Sequence, residues 1–306
     1  MRTVAPADKV FGEDGLRLMR LARVCGETGF KPDEESMQGA RDNARLLRDI
    51  SAERIFGELR FILHADGKYG VKYGHYAALC VMRDTGVLAS IFPELALGAG
   101  MTQRQDFHMY DVLEHSLRCA MYAPDDIRLV ALLHDVGKPY CKITSGNFYN
   151  HEKEGARIVA EICERLKVPK KLAEETVRLT SLHMYDGGGN VRESKIRRMI
   201  VSNRDVFFKL VELKQADYSA CRDDLSEAPA ITRWREIYGE MIKEGVPFNL
   251  RELKVRGDDL IAEGIPKAKC GKVLDRLLLE CAVLPQLNER NKLIITAKRV
   301  VRDIDD

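Results

Sequence analysis

The 306-residue chain has no apolar run that approaches the roughly 20 residues of a membrane-spanning helix, so no membrane partner is expected. Its first residues, MRTVAPADKVFGEDG, lack the apolar middle and cleavage site of a secretory signal. None of its eight cysteines stands in a C-x-x-C pair, which argues against a zinc finger, and their scatter suggests no disulfide framework. Cys25, Cys80, Cys119, Cys141, Cys163, Cys221, Cys270 and Cys281 therefore read as the reduced thiols of a cytoplasmic protein. Nor does one charge sign dominate. With 49 Lys and Arg against 47 Asp and Glu, no global field announces a nucleic-acid binder, and any such role must rest on local clusters. Period-two strand patterns are nearly absent, and internal repeats and low-complexity segments are missing.

What remains is helical periodicity, so the predicted fold is all-α. The length and a 45% hydrophobic content suit a globular chain of two domains or three small ones. A first region, 1–95, reads as several helices. One runs from Asp14 through Cys25 and is stopped by Gly29; Asp33 can cap a second, and Ser51 a third on which Arg54 and Glu58 stand one turn apart. The Gly-rich stretch LALGAGMTQRQ leads into a second region, 96–225, with helices expected near 111–122, 126–135, 151–166, 171–183 and 205–222. Between the second and third of these, Gly137, Pro139 and the Ser145-Gly146-Asn147 turn are expected to forbid regular helix, and Asn150 to cap the third helix. A third region, 226–306, turns at Gly245-Val246-Pro247 and is broken again at Gly257, Gly264 and Pro266. Basic clusters lie at Arg17, Arg20 and Arg23, at Lys167, Lys170 and Lys171, and at Arg192, Lys195, Arg197 and Arg198. Each fits a solvated helix face or a phosphate-binding one.

Of only seven histidines, five fall between His108 and His183, and four occupy special places. His115 shares a helical stripe with Val112 and Cys119. His134-Asp135 end the apolar run LVALLHD, His151 opens a helix, and His183 closes one on the stripe of Leu172, Thr176 and Thr180. Asp217 shares a stripe with Val206, Leu210, Leu213 and Ala220, which points its carboxylate inward. A buried carboxylate is costly unless it is paired or bound to a cation. A single such residue is most simply a hydrogen-bonded core group; six at helix ends and on apolar stripes favour a divalent metal site. The imidazole and carboxylate donors suit Zn, Mn, Fe, Ni or Co without choosing among them, and Mg is not excluded.

The order His…His-Asp…His…His…Asp, with the string HDVGK, resembles the HD-domain superfamily of metal-dependent phosphohydrolases over about residues 108–222. That resemblance implies that His115, His134, Asp135 and Asp217 hold one metal, and that Asp135 bridges to a second completed by His151 and His183. Two close cations activate a shared water and clamp a phosphoryl group. Asp135 and Lys138 are then the catalytic candidates. Lys138, one turn from His134, reaches a phosphate oxygen or protonates the leaving group, unless it is a plain solvated lysine. His108 and Asp111 are candidates for supporting the ligands or touching substrate.

The flanking segments FGEDGLRLMRLAR, SAERIFGEL, GVLASIFPEL, HEKEGARIVAEICERLKVP, LKVRGDDLIAEGI and GKVLDRLLLECAVLPQLNERNKL are similar, in order, to the neck, HD domain and tail of the bacterial tRNA nucleotidyltransferase (CCA-adding) and poly(A) polymerase family. The resemblance implies nucleotide recognition by Glu13, Asp14 and Arg17, supported by Glu53 and Arg54, with Glu58 expected to pair with Arg54. Asp14 and Arg17 are read as sharing one helix face. Arg20, Arg23, Lys195, Arg197 and Arg198 become candidate RNA contacts. The implied partners are the tRNA acceptor end and nucleotides or RNA-end phosphates. The family's transferase head, with a Gly-Ser pair and paired carboxylates, has no counterpart in these residues. Asp303 and Asp305 have the D-x-D spacing but no Gly-Ser partner, and read as a charged end. The sequence thus predicts a hydrolase within an RNA-handling chain and no CCA addition by these residues alone; a tRNA-binding fragment with a structural metal is the alternative.

Overall fold

The computed structural model describes residues 1–303, so Asp303 closes the last described helix and Asp305 lies outside the described residues. Every regular element among the described residues is a helix, α or 3-10, as the periodicity predicts. The chain divides into two compact units, Met1–Tyr185 with Lys209–Ser226, and Asp186–Phe208 with Glu227–Asp306.

In the first unit the helix Leu16–Thr28 buries Leu18, Met19, Ala22 and Cys25 against the helices Ala52–Leu63 and Gly74–Asp84. Gly29 ends it in the left-handed region (φ 72°), its N–H donating to the Cys25 carbonyl, a conformation open to glycine at little cost. Asp33 caps the next helix by accepting from the Ser36 N–H. Ser51 and Asn150 stand at cap positions but make no side-chain cap bond. An unforeseen helix, Ala7–Glu13, precedes Leu16–Thr28, and Asp14 sits in the extended break between them.

The region 96–225 departs from expectation at one place that matters. Gly137–Ser145 is a helix, where a helix-free loop was expected. Pro139 is tolerated because it falls in the first turn, where an N–H has no intrahelical partner to lose, and Gly146 (φ 75°) simply ends the helix. Gly137 lets this helix pass hard against His151–Arg165, since a Cβ there would come within 2.2 Å of the His151 carbonyl oxygen. The expected helix at 126–135 begins as a 3-10 turn, Asp125–Ile127, and continues as Arg128–Leu133.

In the second unit, Trp234 on the helix Pro229–Lys243 is fully buried beside Phe207, and its Nε1–H donates to Asp186 at 3.0 Å. Gly264 (φ 86°) and Pro266 separate the helix Gly257–Ala262 from Lys267–Val283, which packs on Arg290–Asp303.

Candidate metal centre

Three helix ends and two helix faces converge on a single point. His115 comes from the interior of Val112–Tyr122, whose start is fixed by Asp111: its carboxylate accepts from the Glu114 N–H and the Gly100 N–H, both at 2.7 Å. Asp111 is therefore the cap that fixes the helix carrying His115. His134 and Asp135 follow directly on Arg128–Leu133, His151 opens its helix, His183 closes Lys170–Leu182, and Asp217 projects from Phe207–Arg222. The four histidines and Asp135 are buried, whereas the Asp217 side chain keeps 24% of its surface exposed.

The hydrogen bonds fix what each ring presents. The Nδ1–H groups of His134, His151 and His183 each donate, at 2.7 Å, to the carbonyl three residues earlier, on Ala131, Phe148 and Thr180. In the neutral ring each Nε2 then carries the lone pair, turned to the centre. Those lone pairs meet carboxylate oxygens, not donors. Asp135 Oδ2 lies 3.4 Å from His115 Nε2 and 3.2 Å from His134 Nε2. Its Oδ1 lies 3.2 Å from His151 Nε2 and 3.5 Å from His183 Nε2. Asp217 Oδ1 is 3.0 Å from His115 Nε2 and 3.6 Å from His134 Nε2.

Lone pair against lone pair in a buried space is unfavourable unless a proton or a cation stands between them. Both His115 ring nitrogens and His134 Nε2 are buried with no hydrogen-bond partner among the described residues, and the two buried Asp135 oxygens meet only the four imidazoles and Lys138. The donors are nitrogen and oxygen, and two groups of three, His115-His134-Asp135 and Asp135-His151-His183, are each compact enough to hold a divalent ion. The residues present therefore fit a metal.

The electrostatics agree with a cation-seeking pocket. Burial alone would raise the Asp135 carboxyl, but His134 and Lys138 hold it well below its ordinary range. Burial would likewise raise Asp217, and its bonds to His115 and His134 overcome it. His134 is raised well above the usual imidazole value by Asp135 despite burial, while burial pushes His183 down. Lys138 belongs to the same cluster: its Nζ stands 2.6 Å from Asp135 Oδ2 and 2.6 Å from the Gln103 carbonyl oxygen. Gln103, which holds Lys138, and Lys214, which donates to the His183 carbonyl at 3.3 Å, gave no signal in the sequence.

Residues 106–211 match the family model described as "HD domain", and residues 29–97 match "Probable RNA and SrmB- binding site of polymerase A". The CC-adding tRNA nucleotidyltransferase of Thermus thermophilus is 29% identical over 77% of this chain and 55% of its own length. The A-adding tRNA nucleotidyltransferase of Deinococcus radiodurans is 29% identical over 68% of the chain and 50% of its own length. The chain is thus similar, over its HD and RNA-binding matches, to tRNA nucleotidyltransferases. It spans about half the length of the curated relatives it matches. The crystal structure of the Bacillus stearothermophilus CCA-adding enzyme in complex with CTP shares the fold, with a TM-score of 0.59 at 20% identity over 99% of this chain and 66% of that one. Asp217 falls beyond the residues that match the HD model, so its place in the site rests on geometry alone.

The neck residues are arranged differently from the expectation. Asp14 does not share a helix face with Arg17, because it occupies the break before Leu16 and accepts from the Leu16 N–H. Arg17 turns back to Glu13 at 2.7 Å and to the Val10 carbonyl at 2.9 Å. Arg54 approaches Asp14 at 3.3 Å and not Glu58, which instead takes Arg23 at 2.5 Å. Glu53 is exposed beside Arg54, and Arg20 is half-exposed, 3.9 Å from Asp14. Two of the candidate RNA contacts are committed elsewhere. Arg23 is held by Glu27 and Glu58, and the buried Arg197 by Glu193 and both oxygens of Glu244. Lys195 is exposed, and Arg198 is partly exposed beside Glu280.

Proposed function

We propose that this chain is a two-cation phosphohydrolase acting on nucleotides or RNA-end phosphates, within a protein of tRNA 3′-end maturation. The observation that carries the reading is Asp135, whose two buried oxygens face two different imidazole pairs, as a bridging carboxylate must. Bound there, two divalent ions such as Mn, Fe, Ni, Co, Zn or Mg would lower the pKa of a shared water and clamp a phosphoryl group. The chain's own residues do the rest. His115, His134 and Asp217 line one end, and His151 and His183 the other, with the rings of His134, His151 and His183 each locked by a backbone bond. Lys138, turned inward by Gln103, neutralises a phosphate oxygen or gives a proton to the leaving alkoxide. Asp217, the one partly exposed ligand, marks the side from which substrate enters.

The test is hydrolysis of 2′,3′-cyclic nucleotides, 2′-nucleotides and simple phosphomonoesters with Mn, Co or Ni, beside metal analysis. Activity should vanish in H134A and D135A. Activity that survives both, or is absent with every metal, overturns the reading. In K138A, turnover should fall by about 10²–10⁴ while metal content holds, the range of general acid–base assistance.

The match to a polymerase A RNA-binding model supports a second role. We propose that 1–95 forms a nucleotide- and RNA-recognising neck, 96–225 the HD domain and 226–306 an RNA-binding tail, in a cytoplasmic protein whose eight cysteines stay reduced. In the neck, Arg54 orients Asp14 while Glu13, Arg17 and Glu53 remain within the exposed set. Arg20, Lys195 and Arg198 are the phosphate contacts that keep solvent exposure. A tRNA affinity that falls steeply with added salt supports this, and a flat response overturns it. CTP or ATP addition needs carboxylates that hold magnesium, and no such pair with a Gly-Ser partner occurs in these residues.

A further inference from the structure

We propose that His108, His115 and Cys221 form a second, thiophilic cation station that competes with the hydrolytic centre for His115. The ligand atoms of these three residues lie within 4.8 Å of one another. The His108 and His115 rings meet edge-on, with centroids 4.8 Å apart. His108 Nδ1 and His115 Nδ1 are both buried without a hydrogen-bond partner, and the His115 side chain is wholly buried. Cys221 stands on the same helix as Asp217, one turn on, its Sγ 3.4 Å from the Asp217 carbonyl oxygen. His108 and Cys221 are only partly buried, so an ion reaches this trio from solvent.

The donor set differs in kind from its neighbour. Two imidazoles and a thiolate select Zn, Cd or Co over Mg or Mn, which the oxygen-bearing hydrolytic centre can take. As the sulfur–metal bond forms, the Cys221 thiol gives its proton to solvent. Three protein ligands leave a fourth tetrahedral position for water. His115 belongs to both sets, so filling the thiophilic station withdraws it from Asp135 and Asp217. A soft ion would then restrain the hydrolysis that a harder ion supports, a regulatory consequence that rests on the phosphohydrolase reading, although the station itself does not.

Cobalt titration of the purified chain separates these claims, because only a thiolate ligand gives an intense near-ultraviolet charge-transfer band. The wild type should show the band, C221S should lose it wholly, and H108Q should weaken it. C221S should still bind cobalt through nitrogen and oxygen, which shows that the chain is folded. No band in a wild type carrying two or more cobalt ions overturns the station. So does a band that persists in C221S, or one lost in C119S, since buried Cys119 is the other thiol near His134. A chain that shows the band with cobalt but hydrolyses no phosphate when loaded with Mn or Mg alone overturns the phosphohydrolase reading and leaves the station standing.

Discussion

At Asp135 a single carboxylate has to satisfy four imidazole nitrogens and a lysine. Its oxygens meet His115, His134 and Lys138 on one side and His151 and His183 on the other. Replacing one oxygen by an amide nitrogen in D135N keeps the shape but removes a negative charge and one bridging lone pair. Metal occupancy should fall at both ends of the site together, and activity should drop by more than the roughly 10–100-fold typical of losing a residue that only supports a ligand. Metal analysis and turnover numbers check this; loss of one ion with the other retained would contradict a bridge. The convergence of these residues was legible in the sequence because histidine is scarce here and each one falls at a helix end or on an apolar stripe. Gln103 and Lys214 were not, since a residue that acts through one long-range hydrogen bond leaves no periodic trace. Asp111 shows the converse. Its position one turn before His115 suggested chemistry, and its oxygens turned out to serve two backbone N–H groups.

The helix Gly137–Ser145 shows how an element can hide behind its own punctuation. Glycine and proline normally read as breaks, yet here Pro139 occupies the first turn and Gly146 the end. Between them the helix carries Lys138 to the centre and lies against the opening of His151–Arg165. That contact gives a sharp expectation for G137A. The added methyl would need to occupy space 2.2 Å from the His151 carbonyl and 2.5 Å from the Gly155 nitrogen, both backbone atoms. The two helices must therefore separate, and His151 moves with its helix. Binding at the end of the site formed by His151 and His183 should weaken, and stability should fall by about 1–3 kcal/mol, the usual cost of overpacking. Metal titration and urea unfolding of G137A check both, and a variant with wild-type affinity and midpoint would refute the tight crossing. The same blindness to breaks led to one long helix face through Asp14 and Arg17, where the chain places an extended residue between two helices. Helical type was readable from periodicity, but helix number was not, as Ala7–Glu13 and Gly137–Ser145 show. The joints between helices were not, because they depend on contacts made far along the chain.

At the scale of the whole chain, each of the two units can be followed by its own probe. The first unit holds buried carboxylates that must stay ionised. Burial raises Glu27, but Lys68 and Arg23 overcome it, and Arg128 likewise lowers Asp66 against its burial. Both folded values lie below the unfolded ones, so their contribution is complete above the unfolded carboxyl range, near pH 4–4.5, and is lost as pH falls through the folded values. E27Q should lower stability at neutral pH, since it takes from Lys68 its anion and leaves Arg23 to Glu58 alone, and should flatten the acid side of the curve. Urea midpoints between pH 3 and 7 check the sign.

All six proposed ligands also lie in the first unit, whereas Trp234, the only tryptophan, is fully buried in the second. A cation that binds the folded cluster and not the unfolded chain stabilises by about 2.7 kcal/mol at a hundredfold excess over its Kd. Chelation should therefore lower a melting transition followed by far-ultraviolet circular dichroism. Tryptophan fluorescence follows the second unit alone. If the units unfold independently, the fluorescence midpoint stays where it was after chelation; if they unfold together, both midpoints fall by the same amount. A dichroism midpoint that chelation leaves unmoved, after metal analysis has confirmed removal, would mean that the His-Asp cluster binds no stabilising ion, and both the catalytic and the structural metal readings would fall with it.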